Sequence, residues 1–414
     1  MKVLYLAHHF HTQTGNFSSR PYRFAKQLTE DGHKVTVVSG QHDRGAVDIE
    51  GSDTGTIRRK QVEGIDVIQV AVPYANNMSV LKRSLIFMRY TLHCLKETIK
   101  GDYDLIFATS GPLTVGIAGI LSKAIRSNPF VFESRDLLPE TPRALGLIKN
   151  PVILLGLSTL EWASYQTADV AVGLAPGITK AIKKKTASRI PVALLPNGSE
   201  LELFKPGSRV DLKVAGIEAG DTVAVFTGAH GLTNGLHAIL DAAKELKRRG
   251  RDDIKIAFFG DGKIKPELVS RAKAEGLTNC FFNDPIPKTK LAEILGSADI
   301  GLMTLKNLPV FHYSTSPNKF FDYLSCGLPI INNYPGWIAG MLSKHRNGCV
   351  VEPGDAIAFA DALENYADNP ELRELHGKRS RELAETSFDM ARIAKAFSAL
   401  MTSTHAPHVA AQTI

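Results

Sequence analysis

The stretch SPNKFFDYLSCGLP, Ser316 to Pro329, is the most informative part of the sequence, because it predicts a short helix that leads into a buried strand. Ser316 is a favourable helix N-cap and Pro317 suits the first helical position. Gly327 is predicted to end the helix. The apolar run LPIIN that follows is typical of a buried parallel strand, so this stretch predicts one unit of an α/β sheet.

The start of this predicted helix has the composition of an anion site. The N–H groups of residues 318–320 would point out of the helix, and Lys319 adds a full positive charge. Asp322, one turn further on, could accept hydrogen bonds from ribose hydroxyls. A capped helix of this composition is also common in proteins that bind nothing there. The predicted phosphate and ribose contacts are Ser316, Pro317, Asn318, Lys319 and Asp322.

This pattern resembles the nucleotide-sugar site of the retaining glycosyltransferases of family four, which have the GT-B fold. Their signature contains two Glu residues separated by seven positions; Asp322 takes the second place and Ser314 the first, which is a departure from the family. The PNK variant resembles the bacterial O-antigen and capsule branch, including fucosamine-transferase-like enzymes. The resemblance implies transfer of a hexosyl or N-acetylhexosaminyl group, with retention, from a UDP-sugar to a polysaccharide or lipid-linked acceptor, without a metal or another cofactor.

Alternating strand and helix patterns predict an α/β protein with two doubly wound, Rossmann-like domains. The first covers residues 1–196 and the second, which would bind the donor, covers residues 197–387, with a Gly- and Pro-containing junction at 197–207. The resemblance implies that the two domains face each other across a cleft. A last helix at 388–402 would cross back to the first domain, although a capping helix on the second is an open alternative. Residues 403–414 are expected to be a disordered tail.

Glycine-rich turns after two predicted strands of the second half also point to phosphate binding, because backbone without a Cβ atom can approach a phosphate closely. GAHGLTNGL places His230 and Asn234 near the positions where the family carries Arg and Lys. FFGDG resembles the family's turn under the donor, and residues 285–287 match the region that reads the nucleobase. Such turns also occur in most doubly wound domains. The predicted donor residues from these turns are Gly228, His230, Gly231, Asn234, Gly260, Gly262, Ile286 and Pro287.

In the first half, the predicted strand PFVFES runs into a cluster of charged residues at the edge where such sheets bind ligands. By resemblance, Asp136 would position the acceptor and stabilise an oxocarbenium-like transition state, and Lys319 would share the catalytic role. The alternative is a salt-bridged loop in which Arg135 or Arg143 neutralises Glu133, Asp136 and Glu140. The predicted acceptor and phosphate loop residues are Gly15, Asn16, Arg20, Glu133 and Arg135.

No metal site is predicted. His8, His9 and His11 cluster near the start but lack a fourth ligand at suitable spacing. Asp102 and Asp104 form a DxD pair, the metal signature of a different glycosyltransferase fold, but they stand at the entry to the predicted strand DLIFATS. A turn and strand start is therefore the preferred interpretation of this pair.

Composition limits the remaining possibilities. The 414 residues are 44% hydrophobic, which supports two cores, and the four cysteines form no CxxC pair, which favours a reducing cytoplasm. The sequence shows no signal peptide and no run long enough to span a membrane. The net charge is +7, yet no nucleic-acid motif is present. The basic, apolar segment Ser79 to Lys100 could lie on the anionic inner face of the cell membrane, or it could be a domain-packing helix with a basic edge.

Two other functions remain open at this point. A UDP-sugar 2-epimerase shares the fold and would convert the nucleotide sugar without an acceptor. A catalytically silent partner that binds a sugar nucleotide or a membrane is suggested by Ser314, His230 and Asn234, which replace charged groups of the family.

Overall fold

The computed structural model describes residues 1–12, 19–42, 57–74, 78, 80–207, 216–218 and 220–412. The chain divides into two compact units. The first comprises residues 1–196 together with 391–414, and the second comprises residues 197–390.

The described part of the first unit contains one eight-stranded sheet with helices in the connections. Its strands are β1 (Lys2–Leu6), β2 (Lys34–His42), β3 (Ile57–Val62), β4 (Ile65–Tyr74), β5 (Leu105–Thr109), β6 (Phe130–Ser134), β7 (Val170–Gly173) and β8 (Val192–Leu194). Its helices are α1 (Arg20–Glu30), α2 (Val80–Lys100), α3 (Gly116–Arg126), α4 (Glu140–Ala144), α5 (Pro151–Thr167) and α6 (Pro176–Lys185). The strand order is β3-β4-β2-β1-β5-β6-β7-β8.

The edge strand β3 runs antiparallel to β4, whereas the other neighbouring strands of this sheet are parallel. The sequence pattern does not reveal β3, because its middle residues Arg59, Lys60 and Gln61 are exposed and polar. Glu63 and Gly64 form the turn to β4 with φ angles of 47° and 84°. A doubly wound sheet was predicted here, and the hairpin at its edge is an addition to it.

The two faces of the first sheet are covered by different helices. Phe107 is in register with Val131, so Phe107 and Phe132 point to opposite faces of the sheet. Phe132 contacts Tyr165 of α5 at 5.7 Å between ring centroids. Phe107 contacts Phe397, at 4.8 Å, in a helix that returns from the far end of the chain.

The second unit carries a six-stranded parallel sheet in its described residues. Its strands are β9 (Thr222–Thr227), β10 (Ile254–Phe259), β11 (Cys280–Asn283), β12 (Ile300–Met303), β13 (Ile330–Asn332) and β14 (Gly348–Val350), in the order β11-β10-β9-β12-β13-β14. The remaining helices are α7 (His237–Arg248), α8 (Lys265–Ala274), α9 (Lys288–Ser297), α10 (Pro309–His312), α11 (Asn318–Ser325), α12 (Trp337–His345), α13 (Ala356–Asp368), α14 (Pro370–Ser387) and α15 (Met390–Gln412). Each of these strands coincides with an apolar run in the sequence, because a sheet buried on both faces requires one.

Helix α15 is the segment that returns to the first unit. Phe397 stacks on Phe24 of α1, with ring centroids 4.1 Å apart, and lies 6.3 Å from Tyr5 of β1. The helix continues past Thr402 to Gln412, so the prediction of a disordered tail from residue 403 is wrong up to that residue.

Helix α11 ends with a hydrogen-bonded motif built on Gly327. Gly327 has a φ of +67°, its N–H donates to Leu324 O at 3.0 Å, and the Leu328 N–H donates to Tyr323 O at 3.0 Å. These two bonds satisfy carbonyl groups of the last helical turn in the pattern of a Schellman motif. The prediction that Gly327 ends this helix is confirmed.

We expect Gly327→Ala to destabilise the protein by about 1 to 2 kcal/mol, because an alanine resists the left-handed conformation. The added Cβ would also lie 3.2 Å from Pro206 Cγ. Gly340→Ala is the matched control: Gly340 lies inside α12 with nothing within 4 Å of an added Cβ. Alanine there should stabilise by about 0.5 to 1 kcal/mol. Thermal melts of the two variants that shift in the same direction would contradict this account.

Candidate functional site

The start of α11 is held in place by the residues that open the second unit. The Asn197 N–H donates to Ser316 Oγ at 3.0 Å, and Asn197 Nδ2 donates to Ser316 O at 2.6 Å. Ser199 Oγ donates to Phe321 O at 2.9 Å. The segment that was predicted to be the junction between the two domains therefore positions the helix.

The helix begins one residue later than predicted. Pro317 is the N-cap and Asn318 the first helical residue, and no side chain caps the helix. Ser316 is not the N-cap, because its hydroxyl and carbonyl groups are used by Asn197. The Phe320 N–H donates to Pro317 O at 3.1 Å, so the N–H groups of Asn318 and Lys319 are the ones in the first turn that can meet an anion.

Lys319 is a half-buried cation without an acidic partner among the residues that the structure describes. Its Nζ lies 3.6 Å from the centroid of the Phe226 ring and 3.5 Å from Asn234 Oδ1. Burial lowers the pKa of Lys319 to about 7. Desolvation without a counter-charge disfavours the ammonium form, and a bound anion would restore it.

The two glycine-rich turns lie against each other beside Lys319. An added Cβ at Gly228 would be 3.5 Å from Lys319 Cε, whereas one at Gly260 would be 1.8 Å from Gly228 O. At Gly262 it would be 2.4 Å from His230 O. The turns can approach this closely only because both carry glycine. Gly231 belongs to the first turn, and its carbonyl accepts from the Asn234 N–H at 3.1 Å.

His230 does not supply charge to this site. Its side chain is fully buried, with the ring centroids of Phe226 and Phe258 each 6.1 Å away. Burial, with Lys265 and Lys319 nearby, lowers the pKa of His230 to about 4, so the imidazole is neutral at pH 7. His230 was predicted to contact the nucleotide sugar, whereas its side chain is enclosed within the unit.

Asn234 connects the first turn to Lys319. Its Nδ2 donates to Ala229 O at 2.6 Å, which turns Oδ1 toward Lys319. Thr304 Oγ1 donates to Asn234 O at 2.7 Å and fixes the backbone. Asn234 is therefore a neutral neighbour of Lys319, and its predicted contact with the nucleotide sugar stays a prediction.

Asp322 lies one turn deeper and is only 8% exposed. Burial raises the pKa of Asp322 to about 7, with Lys288 opposing the rise and Glu200 adding to it. Lys288 and Glu200 form a buried ion pair, and the Lys288 Nζ is 5.5 Å from the Phe204 ring centroid. Lys288 and Glu200 were not predicted to belong to the site; NGSE and PKTK contain them, but neither segment has a recognisable binding pattern.

Ile286 and Pro287 lie in the connection that follows β11, the strand at the edge of the second sheet. Pro287 is the N-cap of α9, and its carbonyl accepts from the Leu291 N–H at 2.9 Å. Ile286 is half-buried and Pro287 exposed. This connection is at the carboxyl edge of the sheet, as are the turns after β9 and β10. Contact of Ile286 and Pro287 with the nucleobase stays a prediction.

In the first unit, Arg20 and Glu133 form a fully buried ion pair. The Arg20 guanidinium donates to Glu133 at 2.7 Å and to the carbonyl oxygens of Leu195 and Pro196 at 2.8 and 2.5 Å. Thr109 Oγ1 donates to the other Glu133 oxygen at 2.7 Å. The predicted contact of Arg20 and Glu133 with phosphate or acceptor is wrong, because both groups are enclosed and engaged within the unit.

The other charged residues after β6 are more accessible. Asp136 is exposed and Arg135 half-buried, with the Arg135 N–H donating to Ser110 Oγ at 2.9 Å. Glu140 pairs with Lys185 at 2.7 Å. Arg143, offered as a partner for these acids, is exposed. Asp136 is thus the carboxylate of this cluster that can meet a ligand.

The remaining candidate residues provide no evidence for a ligand site. Gly15 and Asn16 lie outside the described residues. Asp102 pairs with Lys2 Nζ at 2.5 Å, and Asp104 accepts from the Lys2 N–H at 2.6 Å, which supports the strand-start interpretation of the DxD pair. The described residues contain no group of three or more His, Cys, Asp or Glu side chains that could hold a metal ion. Within the same residues, no helix is both long enough and apolar enough to cross a membrane.

Two parallel-sheet units of this kind define the GT-B fold, and solved structures agree. Sucrose-phosphate synthase from Thermosynechococcus elongatus superposes with a TM-score of 0.76 at 15% identity, over 98% of this chain and 99% of that one. Anabaena HepE, solved with UDP and glucose, gives a TM-score of 0.66 at 15% identity, over 97% of this chain and all of that one. The predicted fold class is confirmed.

A family model matches part of the second unit. Residues 221–369 match the family model described as "Glycosyl transferases group 1". The O-antigen chain mannosyltransferase C of Escherichia coli is 24% identical over 185 residues, which are 44% of this chain and 47% of that protein. The chain thus aligns with about half the length of this curated relative. The matched family segment includes both glycine-rich turns, Lys319 and Asp322.

Removal of the unpaired cation should stabilise the protein. We expect Lys319→Met to raise the free energy of unfolding by about 1 to 3 kcal/mol at pH 7, because the substitution removes a desolvated amine. The contact of Lys319 with the Phe226 ring offsets part of the desolvation cost in the unsubstituted protein. The pKa of Lys319 is lower in the folded than in the unfolded protein. The gain should therefore be largest below pH 7 and shrink as the pH rises toward 10.

Lys265→Met is the matched control. Lys265 Nζ donates to Gly260 O, Asn283 O and Asp284 Oδ1 at 3.0, 2.9 and 2.8 Å, so its loss should destabilise the protein. Denaturant titrations at pH 6.5 and pH 9 measure both variants. A destabilised Lys319→Met protein at pH 6.5 would contradict the assignment of Lys319 as an uncompensated cation.

Proposed function

We propose that this protein is a glycosyltransferase that moves a sugar from a UDP-linked donor to a polysaccharide or lipid-linked acceptor, with retention of anomeric configuration. The observation that carries the proposal is Lys319: a desolvated ammonium group at a helix start, beside two glycine-rich turns, without an acidic partner among the described residues. A diphosphate supplies the missing negative charge.

The proposed donor site uses α11 in two ways. The N–H groups of Asn318 and Lys319 and the Lys319 ammonium bind the diphosphate, and Asp322 accepts hydrogen bonds from the ribose hydroxyls. Uracil is the proposed base, read by backbone groups near Ile286 and Pro287. The support for UDP comes from the structure of Anabaena HepE, which contains it.

The proposed chemistry needs no protein-bound cation beyond Lys319. The acceptor oxygen forms a bond to the anomeric carbon while the bond from that carbon to the diphosphate breaks, and the departing diphosphate takes the acceptor proton. Lys319 and the helix start stabilise the charge that develops on the diphosphate. Asp136, exposed after β6, is proposed to orient the acceptor and to stabilise positive charge on the sugar. The resemblance to the fucosamine-transferase-like branch supports an amino sugar as donor.

Binding of UDP tests the donor site directly. We expect Lys319→Ala and Asp322→Ala each to weaken UDP binding by about 1.5 to 3 kcal/mol, the scale of a hydrogen bond to a charged group. Lys290→Ala is the control, because Lys290 is an exposed lysine of the same unit that pairs with Glu293 at 3.0 Å. Isothermal titration at pH 8 measures all three. Unchanged UDP affinity in both site variants would refute the donor site.

Turnover tests the reaction. With a panel of UDP-sugars, we expect UDP release that depends on a lipid-linked acceptor and persists in the presence of EDTA. Asp136→Asn should lower kcat by about 100-fold or more, the scale of a preorganised charge at a reacting centre, whereas Asp102→Asn should leave it unchanged. Conversion of the UDP-sugar without an acceptor would identify an epimerase instead. UDP binding without turnover on any acceptor would identify a silent binding partner.

A further inference from the structure

Helix α2 presents a stripe of apolar and basic side chains to solvent. Leu85, Met88, Leu92 and Ile99 are exposed, and their spacing of three, four and seven residues places them along one line of the helix. Arg89 and Lys96 are exposed beside this line, each four residues after one of its leucines. The outward surface of this helix therefore alternates between apolar and cationic groups.

Acidic side chains are absent from this stripe within the described part of α2. The only acidic residue of the helix, Glu97, is turned toward the body of the unit, where it accepts from Arg59 at 3.1 Å and from Tyr103 at 3.0 Å. Nothing on the stripe neutralises Arg89 and Lys96. Within the described ranges of the chain, the positive charge of this surface is therefore available to an anionic partner.

Helix α5 carries a second apolar surface. Val152, Ile153, Leu155 and Trp162 are exposed there. Glu161 is the only Asp, Glu, Lys or Arg residue of this helix. It is buried and contacts Lys185 and Tyr165. Exposed apolar side chains grouped in this way are unusual in the absence of a binding partner.

The two surfaces belong to the same face of the first unit. Helices α2 and α5 each pack on α3, which lies between them and exposes Ile125. The segment from residue 80 to 190 contains fifteen Lys and Arg against eight Asp and Glu, a net charge of +7 that equals the net charge of the whole chain. The excess positive charge of the protein thus lies in the segment that carries the exposed apolar helices.

From this arrangement we propose that the outer surface of α2, α3 and α5 binds an anionic lipid surface, with the apolar side chains entering the interface and the basic side chains contacting lipid phosphates. A second copy of the chain is a poorer occupant, because a symmetric interface would bring the basic stripe against itself. A basic edge combined with exposed apolar and Trp side chains matches the composition of interfacial helices. This inference concerns a surface separate from the donor site and does not depend on the proposed reaction.

The test is flotation of the 414-residue chain with vesicles of phosphatidylcholine alone and of phosphatidylcholine with 30% phosphatidylglycerol. We expect binding to the anionic vesicles that is at least tenfold stronger than binding to the neutral ones. Arg89→Gln with Lys96→Gln should reduce binding to the anionic vesicles about tenfold. The control, Lys290→Gln with Lys378→Gln, changes the net charge equally on the second unit and should have little effect.

The apolar contribution is tested with a matched pair. Leu85 and Ile357 are both 60% exposed, and Ile357 lies in α13 of the second unit. Leu85→Ser should weaken vesicle binding several-fold, whereas Ile357→Ser should not. Because both positions are exposed, we expect both variants to fold. Their thermal melts would confirm this.

Tryptophan fluorescence reports on the contact itself. The chain has two Trp residues, and Trp337 donates its indole N–H to Thr315 O at 2.6 Å within the second unit. Anionic vesicles should shift the emission of the wild-type protein to shorter wavelength, and Trp162→Phe should abolish the shift. The proposal is overturned if anionic vesicles bind no protein, if the paired variants bind like their controls, or if sedimentation shows a dimer that Leu85→Ser dissociates while vesicles remain unbound.

Discussion

The start of α11 in the second unit depends on one electrostatic constraint: a lysine ammonium group that is partly desolvated and has no acidic partner among the described residues. Lys319 lies over the ring of Phe226 and reaches Asn234 only at the long limit of a hydrogen bond. Such a group lowers stability unless an anion is bound, and it persists because the surrounding structure holds it in place. The proposed anion binding and the stability of the protein are therefore opposed at this residue.

The surroundings hold α11 from several sides. Asn197 and Ser199 bind its first half, and Arg381 donates to Ser325 O at 2.7 Å at its end. The Tyr323 hydroxyl donates to Val225 O at 3.1 Å and accepts from the Thr227 N–H at 3.0 Å, which ties the helix to the central strand β9. A helix fixed in this way can present its first turn to a ligand without losing conformational freedom when the ligand binds.

Charge is distributed in a different manner in the first unit. There the cation and the carboxylate meet inside the protein: Arg20 and Glu133 satisfy each other and tie α1 and β6 to the segment that leaves the unit. What remains accessible is Asp136 at the end of β6 and the basic, apolar surface of α2, α3 and α5. The buried pair stabilises a rigid support, and the accessible groups lie on its surface.

The sequence by itself determined the α/β class, the apolar runs that form β9 to β14 and the helix ending at Gly327, because these depend on local periodicity and on the conformational freedom of glycine. Lys319, Asn234 and the two glycine-rich turns were also found together, since strand ends of a parallel sheet meet at one edge. Only the tertiary structure decided the rest. Ser316 is bound by Asn197, Arg20 is buried against Glu133, His230 is enclosed among aromatic rings, and Lys288 with Glu200 lies beside Asp322. Burial and long-range pairing set the charge and accessibility of each of these groups, and neither property is encoded in residue type or in spacing along the chain.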